Sequence, residues 1–216
     1  MYTVIDAVRE IIKAKPMVEE ALRIDILNLA KYAKIIHLEV NKITMKQVQI
    51  GAITIALSRL KTEIQESLTQ IFYINDIILK YPLTELTYIQ NDDHYEKIAK
   101  VYKNFSDKQN HFLNIISGNT ETGIFINSKY KDDIIKAFVP HKPIQTLSKL
   151  AGVSLKFSEE YFEGCGLIYS VVKAMTWEKI QIVELISTYT EITLVIHQVD
   201  SQKVFDVMSK NFLGID

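Results

Sequence analysis

The chain has little of several residue types that define whole classes of proteins. It contains a single cysteine, Cys165, among 216 residues, which excludes an internal disulfide and a cysteine-based zinc site. Its seven glycines and four prolines are too few for a low-complexity tract. No apolar run approaches the roughly 20 residues that cross a bilayer, and the first residues lack a signal-peptide core. These features predict a cytoplasmic globular protein that contacts no membrane.

Neither sign of charge dominates the chain. The net charge is −1, and residues 1–64 carry ten basic and seven acidic side chains, so that region is at +3 and the remainder at −4. This mild asymmetry permits an N-terminal region that faces nucleic acid, but it does not require one.

Residues 1–80 have the hydrophobic period of helices. Thr3 is a suitable N-cap for the first helix, and Pro16 is expected to end it and to open the second. Thr44 is expected to cap a longer helix. The apolar stripe of that helix is predicted to continue through Leu68, Ile71 and Ile78, toward Pro82.

After Pro82 the pattern changes and repeats itself. The motif ISGNTE stands at 116–121 and ISTYTE at 186–191, a spacing of 70 residues. Each motif joins two strand-like segments, and each lies within the same predicted order of strand, helix, strand, strand and helix. A repeat that is in phase with the element order indicates an internal duplication. We therefore divide the chain into a helical region (1–80), a first unit (81–142) and a second unit (143–216).

The second unit resembles a known family. The segment GLIYSVVKAMTWEKIQIVELISTYTEITLVIHQVDSQKVFDVM, residues 166–208, is similar to an ACT domain of the aspartokinase regulatory type. Residues 83–138 are similar only weakly and look like a degenerate first copy. The lysine- and glycine-rich start of the kinase domain is absent, so the resemblance concerns the regulatory half alone. The arrangement is also similar to archaeal stand-alone ACT proteins with a helical N-terminal region. The expected fold is α+β, with helices followed by two ferredoxin-like βαββα units.

The resemblance implies a ligand site in the second unit, usually for an amino acid. Backbone N–H groups at the start of its first helix suit a carboxylate, glycines let the backbone approach a ligand, and an acidic strand residue suits an ammonium group. A cysteine stands where the family usually has a proline, which changes the loop. The candidate residues are Glu163, Gly164, Cys165, Gly166, Leu167, Ile168, Glu184, Thr188, Thr190 and Glu191.

The first unit lacks this pattern. It has NDDHYEK (91–97) in place of the glycine loop and Asn114 in place of Glu184. We expect this copy to be structural or to bind something different.

Simpler interpretations of the same residues stay open. Glu184 is equally consistent with a solvated strand residue, and the glycines with ordinary turn residues. The serines and threonines of the two motifs can shape their hairpins by local hydrogen bonds alone. Cys165 has no neighbouring base in the sequence and is interpreted as a small packing residue rather than a nucleophile.

The N-terminal helices permit a helix-turn-helix. The segment TMKQVQIGAITIALSRL, 44–60, is then the candidate recognition helix, with Lys46, Gln47, Gln49 and Arg59 as the residues that would contact DNA. A dimerisation or partner-binding helical domain explains the same pattern. Gly51 within this helix is expected to mark close packing.

The sequence predicts a regulatory protein and no enzyme. It shows no catalytic constellation, no metal-ligand spacing and no glycine loop of the type that binds phosphate, so no cofactor and no metal is predicted. The main hypothesis is a homodimer that binds an amino acid in its ACT units and relays this to the helical region, with DNA binding as one output. The alternative is a regulatory or structural module that docks on an enzyme without binding DNA.

Overall fold

A computed structural model describes residues 2–65, 72–105, 111–161 and 164–213 of the chain. The chain forms two compact units, Met1–Thr69 and Gln70–Asp216, and each unit is described by itself below.

The N-terminal unit is a bundle of helices. Thr3 caps the first helix in a reciprocal capping box with Asp6, and Pro16 opens the second, as expected. The helices place their apolar faces against one core, in which Ile11, Ile36 and Leu57 are almost fully buried. The helices are α1 (Val4–Lys13), α2 (Pro16–Arg23), α3 (Leu29–Thr44) and α4 (Ile50–Gln65).

Thr44 does not cap a helix, so that prediction is wrong. The residue is the last of α3, it is buried, and its hydroxyl donates to the carbonyl of Val40 at 2.8 Å. Met45 follows with φ of 54° in the left-handed region and ends α3. The helix expected to start after Thr44 therefore begins only at Ile50.

The C-terminal unit is a six-stranded antiparallel sheet with helices. Its strands and helices alternate in the order β1-α5-β2-β3-α6-β4-α7-β5-β6-α8. The strands are β1 (Ile74–Ile89), β2 (Leu113–Ser117), β3 (Glu121–Asn127), β4 (Gln145–Phe157), β5 (Ile182–Ser187) and β6 (Glu191–His197). The helices are α5 (His94–Phe105), α6 (Lys131–Phe138), α7 (Leu167–Trp177) and α8 (Ser201–Phe212).

The helical pattern predicted up to Pro82 is wrong at its end. Strand β1 begins at Ile74, and Ile78 pairs with Ser154 of β4. Isoleucine-rich sequence is compatible with both periods over a short stretch, and the pairing with β4 decides between them. Leu68 and Ile71, which the same prediction included, lie outside the described residues.

The repeat is visible in the backbone. The sheet order is β2-β3-β1-β4-β6-β5, so the second three strands mirror the first three. Residues 83–89 pair with 127–121, and residues 150–156 pair with 197–191, in the same register. Leu83 and Leu150 are therefore counterparts, and they also pair with each other across β1 and β4. This pair lies at the centre of an approximate twofold arrangement.

The two hairpins match at the level of hydrogen bonds. The amide of Gly118 donates to the carbonyl of Glu121 at 2.8 Å, and that of Thr188 to the carbonyl of Glu191 at 2.9 Å. The motifs ISGNTE and ISTYTE thus occupy corresponding turns.

The faces of the sheet have different cores. Strand residues such as Leu86 and Val153 pack with helical residues such as Val101 and Val171. Because strand side chains alternate between faces, the neighbouring positions point away from the helices. There a smaller apolar cluster contains Leu83, Phe112, Phe125, Leu150 and Val195.

Candidate functional site

The loop before α7 has the backbone geometry that the glycines predict. Gly166 occupies the N-cap position with φ of 104°, which side-chain-bearing residues rarely adopt. In the part of the loop that the structure describes, no side chain caps the helix. The carbonyl of Gly166 accepts from the amide of Ser170 at 2.8 Å, which starts the helical ladder. The first amides of α7 therefore lie beside an exposed glycine-containing turn.

The hairpin residues lie at the same end of the unit as this loop. The amide of Phe157, the last residue of β4, donates to the carbonyl of Thr190 at 2.8 Å. The chain leaves β4 at this point and continues to α7, so Thr188, Thr190 and Glu191 share this end of the sheet with Gly166.

The polar hairpin groups also make local hydrogen bonds. The hydroxyl of Thr188 donates to the carbonyl of Glu191 at 3.4 Å, and the carboxylate of Glu191 accepts from the hydroxyl of Thr193 at 3.1 Å. These contacts give the hairpin a structural role that the repeated motif alone would explain.

Glu184 is placed elsewhere. It pairs with Val195, whose side chain belongs to the cluster away from the helices, and its Oε1 accepts from the amide of Leu185 at 2.9 Å. Burial raises the pKa of Glu85, the hydroxyl of Thr87 lowers it, and the charge of Glu184 raises it. Glu184 thus lies near Glu85 on the other face of the sheet, and the structure does not bring it to the first turn of α7.

The other predicted residues of the loop differ in exposure. Cys165 carries an exposed thiol, Ile168 is exposed, and Leu167 packs against the core of the second unit. Gly164 donates its amide to the carbonyl of Tyr161 at 3.2 Å. Glu163 lies outside the described residues.

An aromatic pair under the loop was missed from the sequence. Phe72 is buried and meets Tyr161 edge to face at 5.3 Å between centroids, and a Cβ on Gly166 would stand 3.9 Å from the ring of Phe72. Phe72 comes just before β1, in a stretch that the sequence analysis assigned to a helix. Recognising the strand at Ile74 would have placed Phe72 beside the end of β4, since Ile74 pairs with Phe157.

The corresponding helix start in the first unit carries an aspartate with two basic neighbours. Asp93 forms an ion pair with Lys97, with 3.0 Å between Oδ2 and Nζ, and Nε2 of His141 lies 3.2 Å from the other carboxylate oxygen, Oδ1. The hydrogen bond from Lys97 lowers the pKa of Asp93 against a smaller effect of burial, and His141 lowers it further. His94 is buried, and its Nε2 contacts the hydroxyl of Thr122 at 2.8 Å.

We expect His94 to make the folded state sensitive to mild acid. Burial lowers the pKa of His94 below its ordinary value, with smaller effects of Asp93 (raising) and of Lys97 and His141 (lowering). The unfolded chain then binds the proton more tightly than the folded chain, so stability decreases as the pH falls through about 6.5 toward the folded-state value. Urea unfolding of wild type and His94→Gln between about pH 7.5 and 5.5 measures this. The variant should show the shallower loss, and equal slopes would contradict the prediction.

The four candidate DNA-contacting residues do not lie on one helix. Lys46, Gln47 and Gln49 are exposed in the connection between α3 and α4, and only Arg59 lies on α4. The connection is fixed on α3, because the amide of Val48 donates to Oδ1 of Asn41 at 2.8 Å and its carbonyl lies 2.7 Å from Nε2 of His37. The predicted single recognition helix is therefore wrong, and DNA binding by these residues stays a prediction.

Across the described residues, no group of three or more His, Cys, Asp or Glu side chains is arranged to hold a metal ion. In those same parts of the chain, no helix combines the length and apolarity needed to cross a bilayer.

About two thirds of the chain shares its fold with regulatory subunits and domains of aspartate kinase. The chain is similar to the regulatory subunit of aspartate kinase from Thermus thermophilus in its ligand-free form, with a TM-score of 0.52 and 10% identity, over 64% of this chain and 98% of that one. It is similar to the aspartate kinase of Clostridium acetobutylicum, with a TM-score of 0.54 and 14% identity, over 68% of this chain and 37% of that one. E. coli aspartokinase III in complex with lysine and aspartate matches with a TM-score of 0.50 and 12% identity, over 67% of this chain and 35% of that one.

These identities are low enough that the likeness concerns the fold. No protein-family model and no curated protein sequence matches the chain.

Proposed function

We propose that the protein is a non-catalytic regulatory protein of the ACT type that binds an amino acid at its second unit. Two βαββα units in one sheet, in a fold shared with regulatory subunits of aspartate kinase, support this proposal. One of the similar proteins, aspartokinase III, was solved with lysine and aspartate. The observation that carries the proposal is the start of α7 at Gly166, where no side chain of the described residues caps the helix, at the same end of the sheet as the Thr188–Glu191 hairpin.

In this proposal the ligand carboxylate meets the amides at the start of α7. These amides sit at the positive end of the helix dipole, and Gly164 and Gly166 allow close approach. The neighbouring candidate residues along the chain are Glu163, Cys165, Leu167 and Ile168, of which Glu163 lies outside the described residues. Thr188 and Thr190 supply polar groups from the hairpin. The ammonium group of an α-amino acid requires an acidic partner, and Glu191 is the candidate at this end of the sheet.

Glu184 is the acidic residue to which the family resemblance gives this role. Glu184 lies near Glu85 and away from the start of α7. Two residues are therefore candidates for the partner of the ammonium group, Glu191 by position and Glu184 by resemblance, and substitution of each distinguishes them. Binding of the amino acid would shift the population of conformations of the C-terminal unit. The N-terminal helices would then pass this change on to DNA or to a protein partner. We propose that the protein does so as a homodimer.

A thermal-shift screen of the twenty amino acids tests the proposal. A ligand at a hundred times its Kd should raise the melting temperature of the chain by about 5–10 °C. Gly166→Ala should abolish the shift, because the N-cap conformation with φ of 104° strains any side chain. Gly118→Ala is the matched control, since its Cβ would make only an ordinary 3.5 Å contact in the other hairpin.

Two further variants locate the acidic partner. Glu191→Gln should remove the shift while Glu184→Gln retains it. The reverse result would assign the ammonium group to Glu184. The proposal fails if none of the twenty amino acids raises the melting temperature of the wild type.

One observation favours a second candidate function. The matched Thermus thermophilus protein is a separate regulatory subunit, and the match covers 98% of its chain. A chain of this fold can thus act as a subunit that docks on an enzyme, without DNA. A gel shift with genomic DNA fragments over a salt series separates the two outputs, because a regulator that contacts phosphates must lose affinity as salt rises. Absence of binding at low salt favours the docking subunit.

A further inference from the structure

The first unit contains a lysine whose ammonium group is withdrawn from solvent. Lys97 is only 6% exposed, although lysine is almost never buried unless paired. Its Nζ lies 3.0 Å from Oδ2 of Asp93 and donates to the carbonyl of Phe138 at 3.1 Å. The ammonium group is therefore held by two acceptors from different elements.

The two acceptors form an environment suited to an amine. Phe138 is the last residue of α6, so its carbonyl belongs to the negative end of that helix dipole. Asp93 adds a full negative charge directly before α5. A buried ammonium group costs free energy unless such partners compensate it, and here both a charge and a carbonyl dipole do so.

Neighbouring groups hold these acceptors in place. The amide of His141 donates to the same carbonyl of Phe138 at 2.8 Å, and its ring approaches Asp93 through Nε2 at 3.2 Å. The other ring nitrogen, Nδ1, contacts the side-chain amide of Asn91 at 2.9 Å. The connection after α6 is thus tied to the start of α5 around the ammonium group of Lys97.

The second unit does not repeat this arrangement. Its last helix, α8, continues to Phe212, so the carbonyl of Met208, the counterpart of Phe138 at the 70-residue spacing, is not at a helix end. Gly166 stands at the start of α7, whereas Asp93 precedes α5. The helix-end carbonyl and the aspartate that hold the ammonium group are therefore features of the first unit.

We propose that the first unit contains an amine-binding site whose permanent occupant is the chain's own Lys97. The side chain enters from α5 and presents its ammonium group to Asp93 and the carbonyl of Phe138, as a free amine would. The first unit consequently takes no free ligand. Resting on the proposed function, this means that each chain binds one amino acid, in the second unit.

Chemical rescue tests the site without knowledge of the physiological ligand. Lys97→Ala removes the aminoalkyl group from a buried position and leaves Asp93 with His141 as its remaining partner, so we expect a lower melting temperature. n-Propylammonium chloride at tens of millimolar should restore most of this loss, because it supplies the deleted ammonium group and methylenes. Lys100→Ala is the matched control: Lys100 also pairs four residues back, with Glu96 at 2.7 Å, but both side chains are exposed.

The outcomes are distinct. Restoration of Lys97→Ala by propylammonium, with no comparable effect on Lys100→Ala or of sodium chloride, supports the proposal. Equal restoration by 1-propanol shows cavity filling rather than amine recognition and overturns it, as does the lack of any restoration. If Lys97→Ala does not fold in buffer, the same comparison is made on the yield of refolded protein by circular dichroism, with the same criteria.

Calorimetric titration tests the stoichiometry. With the amino acid that gives the largest thermal shift, we expect one site per chain. Two sites per chain would overturn the claim that the first unit is occupied. Failure of all twenty amino acids to bind would count against the proposed function and leave the rescue result standing.

Discussion

Truncation of Leu83 to alanine is expected to lower the free energy of unfolding by about 2–5 kcal/mol, the range for large-to-small changes in a tight core. Leu83 is fully buried and pairs with Leu150, its counterpart in the repeat. It also packs with Phe112, Phe125 and Val195 on the face of the sheet away from the helices. The cavity would lie between β1 of the first βαββα unit and β4 of the second, within the C-terminal unit.

Urea unfolding followed by the fluorescence of Trp177 measures this loss, because the only tryptophan of the chain lies in the C-terminal unit. Leu79→Ala is the matched control: Leu79 lies on the same strand but is 39% exposed. It should cost clearly less. Equal losses for the two variants would mean that the Leu83–Leu150 contact has no special place in the core.

Addition of a single methyl group at Gly152 should also destabilise the C-terminal unit, by about 1–3 kcal/mol. A Cβ at this position would stand 3.2 Å from Cδ1 of Leu83 and 3.3 Å from Cε2 of Phe112. Both neighbours are buried, at 0% and 6% exposure, so they can shift only by disturbing the atoms packed around them. The absence of a side chain at Gly152 thus allows the side chains of Leu83 and Phe112 to pack directly on the backbone of β4.

Gly51→Ala is the control, with the opposite expected sign. Among the described residues, and apart from the chain neighbours and nearby backbone of α4 itself, no atom lies within 4 Å of a Cβ at Gly51. The expectation that Gly51 marks close packing is therefore wrong, and the alanine should stabilise the helix by about 0.5–1 kcal/mol. Both variants are compared by urea unfolding followed by circular dichroism. A stabilising Gly152→Ala would show that Leu83 and Phe112 can yield.

Much of the fold could be predicted from hydrophobic period and capping signals. The capping box at Thr3, the opening of α2 at Pro16 and the repeated hairpins are local features that one segment determines. The missed features depend on partners distant in sequence. Ile78 belongs to a strand because β4 pairs with it, and Thr44 stays in α3 because its hydroxyl bonds within that helix.

The candidate site was predictable to a lesser extent. The glycines before α7 were correctly associated with a helix start, because a positive φ at an N-cap is a local backbone requirement. Glu184 was grouped with them through family resemblance, but the face on which it lies depends on its pairing with Val195. Lys97 was passed over because its neighbours in sequence give no sign that Phe138 will stand above it.

Strand β1 connects two places that the sequence keeps far apart. It extends for 16 residues, or roughly 50 Å at the usual rise of a strand. Phe72, two residues ahead of its first residue, Ile74, lies close to Gly166 of the second unit. Beyond its last residue, Ile89, the chain turns into Asp93 and the lysine-filled site of the first unit. Strand β1 thus joins the surroundings of Gly166 to those of Lys97 through a single stretch of backbone.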